Sequence, residues 1–370
     1  MNQHLFSKIM NVLVGEKRVE TYLSCLILSC LQKINGERTT YSIYHLLKGK
    51  KSSQTIQDAH LFNMTNLFQT FPQLSRNFFE EIIRDLNSKN YIQIVDVDKY
   101  KITTRGMAHL EQTLIKMPIP GALNGWKYHS IQEDFWKRLT LLIQVCSNLI
   151  NYNSSYIPIQ NDNKTSDWVK EILIKLSKKR EELSNELLQE VINCLNTKDE
   201  IMPEVVVWRL TGHKQIGLTS VQVAELFKMD MNYFHLHFLS TIHYMIDRIS
   251  ASRNQYPILQ NLLIDYQKPI VLTNSSLVTY RYLQLGYNID EIASARNLKN
   301  STIEDHIVEI ALNETDFSLE PFVPIEVEHK IRVVIQKLNS KQLKMIRQEL
   351  KENISYFQIR LVQARLGEPI

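Results

Sequence analysis

Glycine is scarce in this chain of 370 residues: there are only 10, well below the usual share of about 7%. Enzymes with doubly wound sheets need glycine in tight turns and in loops that bind phosphate. The chain is rich instead in Leu, Ile, Lys and Gln, residues that suit helices joined by polar turns. The composition therefore predicts a mainly α protein and disfavours nucleotide-binding enzyme folds.

Cysteines and long apolar runs are also few. The four cysteines (Cys25, Cys30, Cys146 and Cys194) are too few for a disulfide framework. Cys25 and Cys30 lie on an apolar helical stretch, where buried thiols are expected. No apolar run approaches the roughly 18–20 residues that cross a bilayer, and the first ten residues lack a signal-like block. We expect a cytoplasmic protein with no membrane partner.

Motifs of common catalytic and metal sites are missing from the sequence. The segment 49–52 (GKKS) lacks the preceding glycine of a P-loop, and no Gly-x-Ser-x-Gly, Cys-x-x-Cys or His-Glu-x-x-His pattern occurs. His235 and His237 are the only close histidine pair, and on a helix such side chains point about 200° apart. We therefore expect no enzymatic activity, no metal site and no cofactor.

Charge is distributed unevenly, although the formal net charge is only +4. Residues 1–117 contain 15 basic and 10 acidic side chains, whereas residues 118–276 contain 16 of each. Residues 277–328 carry a net charge of −7, and residues 330–366 carry +7. A basic segment of this kind is typical of a nucleic-acid contact or of pairing with an acidic neighbour.

Loop-like stretches at residues 117–125, 151–166 and 316–328 are rich in Pro, Gly, Asn or Ser. They suggest a division of the chain into three domains. We predict a winged-helix-like domain at 1–117, a helical middle domain with a helix-turn-helix-like unit at 126–275, and a helix-turn-helix domain with basic C-terminal helices at 277–370.

The first domain is predicted to be a winged helix. A basic loop spans 48–53, and Ser75 caps a helix over 76–88 with apolar spacing of three and four. Two short alternating segments, 91–95 and 100–103, predict a β-hairpin. In such folds the helix before the hairpin enters the major groove and the hairpin, or wing, contacts the backbone. The alternative is a winged helix that contacts protein.

The middle domain contains a second helix-turn-helix pattern, with caps at Thr219 and Asp230 and the small Ala224 where two helices approach. Its second helix is aromatic and has no basic residue before Arg248. A structural role is therefore favoured over base reading.

The third pattern is the clearest helix-turn-helix. One helix over 277–285 ends at Gly286, a second begins at Ile289, and Ser301 to Glu304 form a capping box that opens the third. The third helix also presents Asp305 and Glu309, whereas phosphate contact needs Lys or Arg. DNA contact and partner binding by this helix stay equal alternatives.

The acidic and basic parts of the C-terminal region are predicted to dock against each other, since only a short Pro-containing loop separates them. In this hypothesis Glu304, Asp305 and Glu309 of the third helix neutralise cations of the tail. The cations concerned are Lys337, Lys341, Lys344 and Arg347.

Residues 286–306 resemble the helicase-associated helix-turn-helix domain found at the C-termini of some RecQ-type helicases, and residues 354–362 look like the end of that domain. Residues 48–58 (KGKKSSQTIQD) are similar to the YpbB family of Firmicutes, which carries this domain without a helicase motor. The resemblance implies a RecQ-type helicase as partner and a role in DNA repair or recombination.

These observations predict a non-catalytic, nucleoid-associated protein that binds duplex, forked or single-stranded DNA and acts with a RecQ-type helicase. The alternatives are a transcription regulator and a protein-binding adaptor without DNA contact; the oligomeric state is not predicted. The candidate DNA contacts are Lys50, Lys51, Ser52, Arg76, Arg84, Lys89, Lys99, Lys101, Arg105, Arg296, Lys299, Thr302, His306, Lys341, Lys344 and Arg360.

Overall fold

The computed structural model describes residues 21–196, 201–265, 272–338, 340–350 and 353–366. Most of these residues are helical, and a hairpin of two antiparallel strands is the one sheet among them. The prediction of a mainly α fold is confirmed.

The helices and strands fall into three successive groups. The first contains α1 (Tyr22–Ile34), α2 (Tyr41–Lys48), α3 (Ser53–Leu61), α4 (Arg76–Ser88), β1 (Ile92–Asp96), β2 (Lys99–Ile102) and α5 (Thr104–Lys116). The second contains α6 (Gly125–Tyr128), α7 (Gln132–Ile150), α8 (Asn163–Leu176), α9 (Arg180–Leu195), α10 (Glu204–Val207), α11 (Ser220–Leu226) and α12 (Met231–Ala251). The third contains α13 (Asn274–Gln284), α14 (Ile289–Arg296), α15 (Asn300–Asn313), α16 (Ile325–Leu338), α17 (Leu343–Leu350) and α18 (Tyr356–Ala364).

The helix and hairpin predicted near residue 90 are present. The Ser75 hydroxyl accepts a hydrogen bond from the backbone N–H of Phe78 and begins α4. In the hairpin, Ile92 pairs with Ile102. The turn of the hairpin contacts the α1–α2 connection, because the Asp98 carbonyl accepts a hydrogen bond from the backbone N–H of Thr40. Residues 104–116 form α5, so Arg105 lies on a helix after the hairpin and not on the wing.

Helix α12 is the long central helix of the second group. Asp230 caps it by accepting from two backbone N–H groups, and Thr219 caps α11, both as predicted; the cap at Thr219 is a capping box with Gln222. Tyr233 packs against Tyr22 of α1 with ring centroids 4.7 Å apart, and Phe234 is buried. The aromatic helix is therefore used for packing, as its lack of cations indicated.

In the third group, α13, α14 and α15 form the predicted helix-turn-helix. Gly286 has a φ of +86° after α13, and Asn288 forms a capping box with Glu291 at α14. The capping box predicted at 301–304 is wrong, since α15 begins two residues earlier than predicted, with Lys299 in the cap position and no side-chain cap.

Buried apolar side chains form three clusters that follow the three groups of helices. Leu236 and Leu239 of α12 belong to the first cluster, while Phe234 and Ile242 of the same helix belong to the second. All four cysteines are buried thiols outside any disulfide bond, and for Cys25 and Cys30 the apolar helix predicted this burial. Since α12 is shared, the first two groups are held together by one helix, and the predicted division into three domains stays a prediction.

Gly106 tests how closely α5 packs behind the hairpin. A Cβ atom at this helical position would lie 2.1 Å from the carbonyl oxygen of Tyr91. Gly106→Ala should therefore lower the urea unfolding midpoint, at a cost of about 1–3 kcal/mol for overpacking. Gly121→Ala is the matched control, because no atom lies within 4 Å of its added Cβ. Equal midpoints for the two variants would contradict this packing.

His243 makes stability depend on pH. Its Nδ1 accepts from the backbone N–H of Asn124 (2.9 Å), and its Nε2 lies 2.6 Å from Gln132 Oε1. Burial, followed by nearby His129 and His235, lowers the pKa of His243 to about 3. The unfolded chain takes up a proton near pH 6.5, so this stability is present above that pH and is lost as the pH falls toward 3. Urea titrations between pH 7.5 and 4.5 should show a shallower decline for His243→Gln; parallel declines would exclude this role.

Candidate nucleic-acid interface

Cations from the loop after α2 and from α4 share one face of the first group. The Arg76 guanidinium donates to Glu80 Oε1 (2.7 Å) and to the Tyr41 hydroxyl (2.8 Å), so α4 is fastened to α2. The pKa of His45 is lowered by burial and then by Lys50 and Arg76, which places both cations near this ring. Arg84 is exposed one turn beyond Glu80; the pKa of Glu80 is lowered mainly by its hydrogen bond with Arg76, then by that with Tyr41, with a smaller effect of the Arg84 charge. We call Lys50, Arg76 and Arg84 the N-terminal basic surface.

The basic loop before α3 has a defined backbone. Gly49 adopts a φ of +76°, and a Cβ there would lie 2.5 Å from the Gln69 side chain. Lys50 and Lys51 are exposed, whereas the Ser52 hydroxyl is the N-cap of α3 and accepts from Thr55 N at 3.3 Å. Ser52, a predicted DNA contact, is therefore already used to begin a helix.

The remaining candidate DNA contacts of the first group differ in exposure and in whether their charge is paired within the protein. Lys89 pairs with Asp85 at 2.9 Å, and Lys99 pairs with Asp96 at 3.1 Å. Lys101 is exposed beside Gly36, and the Arg105 guanidinium lies 5.5 Å from the centre of the Tyr91 ring. Lys101 is thus the hairpin cation that is most open to a phosphate.

The third helix of the C-terminal helix-turn-helix is covered by protein. α15 packs against α13, α14 and α18, and also against α3 of the first group. His306 is only 9% exposed, and its Nδ1 lies 2.8 Å from the Thr279 hydroxyl. Arg296 donates to the Ser275 carbonyl (2.9 Å) and to Thr279. This packing buries His306, and it uses the half-buried Arg296 guanidinium for contacts within the protein.

Glu309, predicted to be an exposed acid of this helix, is buried. Its carboxylate accepts from the Ser276 hydroxyl at 2.7 Å and from the backbone N–H and hydroxyl of Thr273. It therefore stabilises the start of α13 and does not repel DNA.

Two further candidate contacts, Lys341 and Arg360, join the C-terminal region to the first group. Arg360 donates to Gln57 Oε1 (3.0 Å) and Ser53 Oγ (2.8 Å) on α3 and pairs with Asp305 of α15 at 2.6 Å. The Lys341 ammonium donates to the Leu61 carbonyl and lies 4.7 Å from the Phe62 ring centre. Burial lowers the pKa of Lys341. Both cations are engaged within the protein.

The basic tail does contact the acidic helix α15, but through a different cation from those predicted. Arg360 reaches Asp305, but the four tail cations named for that role do not. Lys337 pairs with Glu349 of the tail itself at 2.6 Å, and Arg347 lies over the Tyr356 ring. Lys344 is exposed on α17, as is Lys299 at the start of α15, and Thr302 beside Lys299 is half-buried. These last three residues are the candidates that the C-terminal region leaves near its surface.

Comparisons with known proteins agree with this organisation. A family model described as a helix-turn-helix domain matches residues 275–363, which extend from the first turn of α13 to the last turn of α18. Protein YpbB of Bacillus subtilis (strain 168) is 36% identical over 341 residues, which cover 92% of this chain and 96% of YpbB. The chain belongs to the YpbB family. No solved structure matches it.

Other features of the described residues bear on function. None of their helices has the length and apolar character required to cross a membrane. Within the same ranges no group of three or more His, Cys, Asp or Glu side chains is placed to hold a metal ion.

Side chains of α2 that border the N-terminal basic surface were not predicted as part of the site. Tyr41, His45 and Lys48 recur at spacings of four and three, opposite the buried Ile43 and Leu46. This spacing places them on one helix face. The signal was therefore in the sequence, but only contact with α4 shows that the face carries charge from two helices.

Arg360→Ala should loosen the contact between the C-terminal region and α3. The Arg360 side chain is 17% exposed, and the loss of its charged hydrogen bonds should cost about 1.5–3 kcal/mol. Hydrogen exchange should therefore become faster in the backbone amides of α3. Lys344→Ala, an exposed change in the same region, should alter stability by less than about 0.5 kcal/mol. Unchanged exchange in α3 would show that Arg360 does not hold this contact.

Proposed function

We propose that the protein is a non-catalytic DNA-binding accessory factor whose main phosphate contacts lie on the N-terminal basic surface. The observation that carries this proposal is the contrast between two sets of cations. Lys50, Arg76 and Arg84 are exposed around α2 and α4, and the pair of Arg76 with Glu80 lies at the surface, whereas Arg296, Lys341 and Arg360 are half-buried and engaged within the protein. Phosphate contacts require accessible Lys or Arg side chains.

A winged-helix mode of contact is part of the proposal. α4 precedes the hairpin, and Lys101 is exposed on β2, so a duplex lying along α4 would meet a second cation at the wing. α4 also carries Glu80 and Glu81 on its outer side. These carboxylates oppose close approach to base edges and favour binding that depends little on sequence.

A RecQ-type helicase is the proposed partner, and DNA repair or recombination at the nucleoid the proposed setting. Support comes from the resemblance of residues 286–306 to a helicase-associated domain and from membership of the YpbB family. The sequence contains no P-loop, so the motor in such an assembly would be the helicase.

A protein-binding adaptor is the second candidate, and one observation favours it. The last helix of each of the two later helix-turn-helix units is packed inside the molecule. These helices are α12 in the middle unit and α15 in the C-terminal unit. A recognition helix must lie in a groove to read bases, which neither helix can do in this packing.

Fluorescence anisotropy of the full chain with forked, single-stranded and duplex DNA separates these functions. Lys50→Gln combined with Arg84→Gln should weaken binding to all three DNAs alike. The slope of log K against log salt should become shallower by up to about 2, because each phosphate contact contributes about 0.9.

Lys116→Gln combined with Arg253→Gln is the matched control, because both side chains are exposed and lie outside the basic surface. An unchanged salt slope in the first double variant would remove the basic surface from the interface. No binding to any of the DNAs at low salt would favour the adaptor, and a preference for one palindromic sequence would favour a transcription regulator.

A further inference from the structure

A cavity of about 630 Å³ lies between α1, the segment before α4, and the start of α12. Its wall is mainly apolar and aromatic. The aromatic and apolar members are Leu23, Phe71, Pro72, Leu74, Phe78, Met231, Phe234 and Phe238. Phe78 is 43% exposed and Met231 is 41% exposed, so the cavity opens to solvent through an apolar rim. Large exposed apolar side chains grouped in this way are typical of a binding site.

Arg209 is the cation of this cavity. Its guanidinium lies 4.2 Å from the ring centre of Phe238 and 5.1 Å from that of Trp136. Within the described part of the chain it has no carboxylate partner and no hydrogen-bond acceptor. Burial alone lowers the pKa of Arg209 to about 10, which leaves it charged at neutral pH.

The backbone around Arg209 is held in place. The Arg209 carbonyl oxygen lies 2.3 Å from the position that a Cβ would occupy on Gly217, and Trp208 accepts a backbone hydrogen bond from Leu218. The guanidinium is thus carried by a packed turn and stacked on two rings, with its N–H donors unused. Half-buried guanidinium groups usually pair with carboxylates or phosphates.

Among the described residues no acidic side chain lines the cavity, and its polar members are Thr70, Gln73, Ser75, Arg209, Ser220, Asn232 and His235. The neighbouring Asp230 accepts from the first N–H groups of α12 and is engaged as its cap. His235 has a pKa lowered mainly by burial, with its Nε2 2.7 Å from the Thr70 carbonyl. The charge of the wall is therefore that of Arg209, and an occupant with one negative group beside an apolar group complements it.

We propose that this cavity binds an acidic–aromatic segment of a partner polypeptide, with a carboxylate on Arg209 and an apolar side chain against Phe71 and Phe78. A polypeptide fits better than nucleic acid, because a phosphate backbone is held by several cations and Arg209 is the one lysine or arginine among the described residues of this wall. The apolar rim is open to solvent, so an extended partner polypeptide can pass across the cavity. The site does not depend on the proposed binding of DNA.

Isothermal titration of the full chain with two peptides tests the carboxylate. The probes are acetyl-Gly-Phe-Asp-Gly-amide and its neutral isostere with Asn in place of Asp. We expect the Asp peptide to bind at least tenfold more tightly, and Arg209→Gln to remove this preference. Arg253→Gln, at an exposed arginine, should keep it. The comparison of the two peptides on the unaltered protein stands even if Arg209→Gln unfolds.

The other outcomes would overturn the proposal. Equal binding of the two peptides, or an unchanged preference in folded Arg209→Gln, would show that Arg209 does not select a carboxylate. Binding of 3-phenylpropionate without binding of the Asp peptide would assign the cavity to a small carboxylate. Loss of single-stranded DNA binding in Arg209→Gln, with the peptide unbound by the original protein, would assign it to nucleic acid.

Discussion

The hydrogen bonds of the Arg360 guanidinium connect the two ends of the described chain. One side chain from α18 reaches Gln57 and Ser53 on α3 and Asp305 on α15, and Lys341 adds a second contact at Leu61. Because these cations are engaged, α15 lies between α3 and α18 with little of its surface open. The proposal that DNA contacts the N-terminal basic surface depends on this packing, since an undocked α15 would be a second candidate.

A similar constraint explains the use of the middle helix-turn-helix. α12 contributes Leu236 to one hydrophobic cluster and Ile242 to the next, so most of its circumference is needed for packing. Such a helix cannot enter a groove without exposing both clusters to water, which costs about 25 cal/mol per Å² of apolar surface. In the middle unit of this protein, the helix-turn-helix therefore connects two hydrophobic clusters, although the same arrangement is used for DNA binding in other proteins.

Local features could be predicted from the sequence because their causes lie within a few residues. Ser75, Thr219 and Asp230 cap helices where the pattern placed caps, and the hairpin near residue 90 has its strands in the expected places. The roles of Arg360 and Glu309 could not be predicted, because their partners are about 300 and 36 residues distant along the chain. Residue type identifies a cation; only the tertiary packing decides whether it faces solvent or a carbonyl.

The charge pattern of the C-terminal region illustrates the same limit. Opposite net charges on residues 277–328 and 330–366 suggested attraction between two surfaces, yet exposed charges are screened within about 10 Å at 0.1 M salt. The structure relies instead on Arg360, whose 17% exposure and fixed hydrogen bonds make its pairing with Asp305 less sensitive to salt. Phosphate contacts through exposed side chains have the opposite property, since bound ions are released as DNA binds. Rising salt should therefore release DNA while α15 stays covered, so exposure of α15 would require a partner that competes for Arg360 directly.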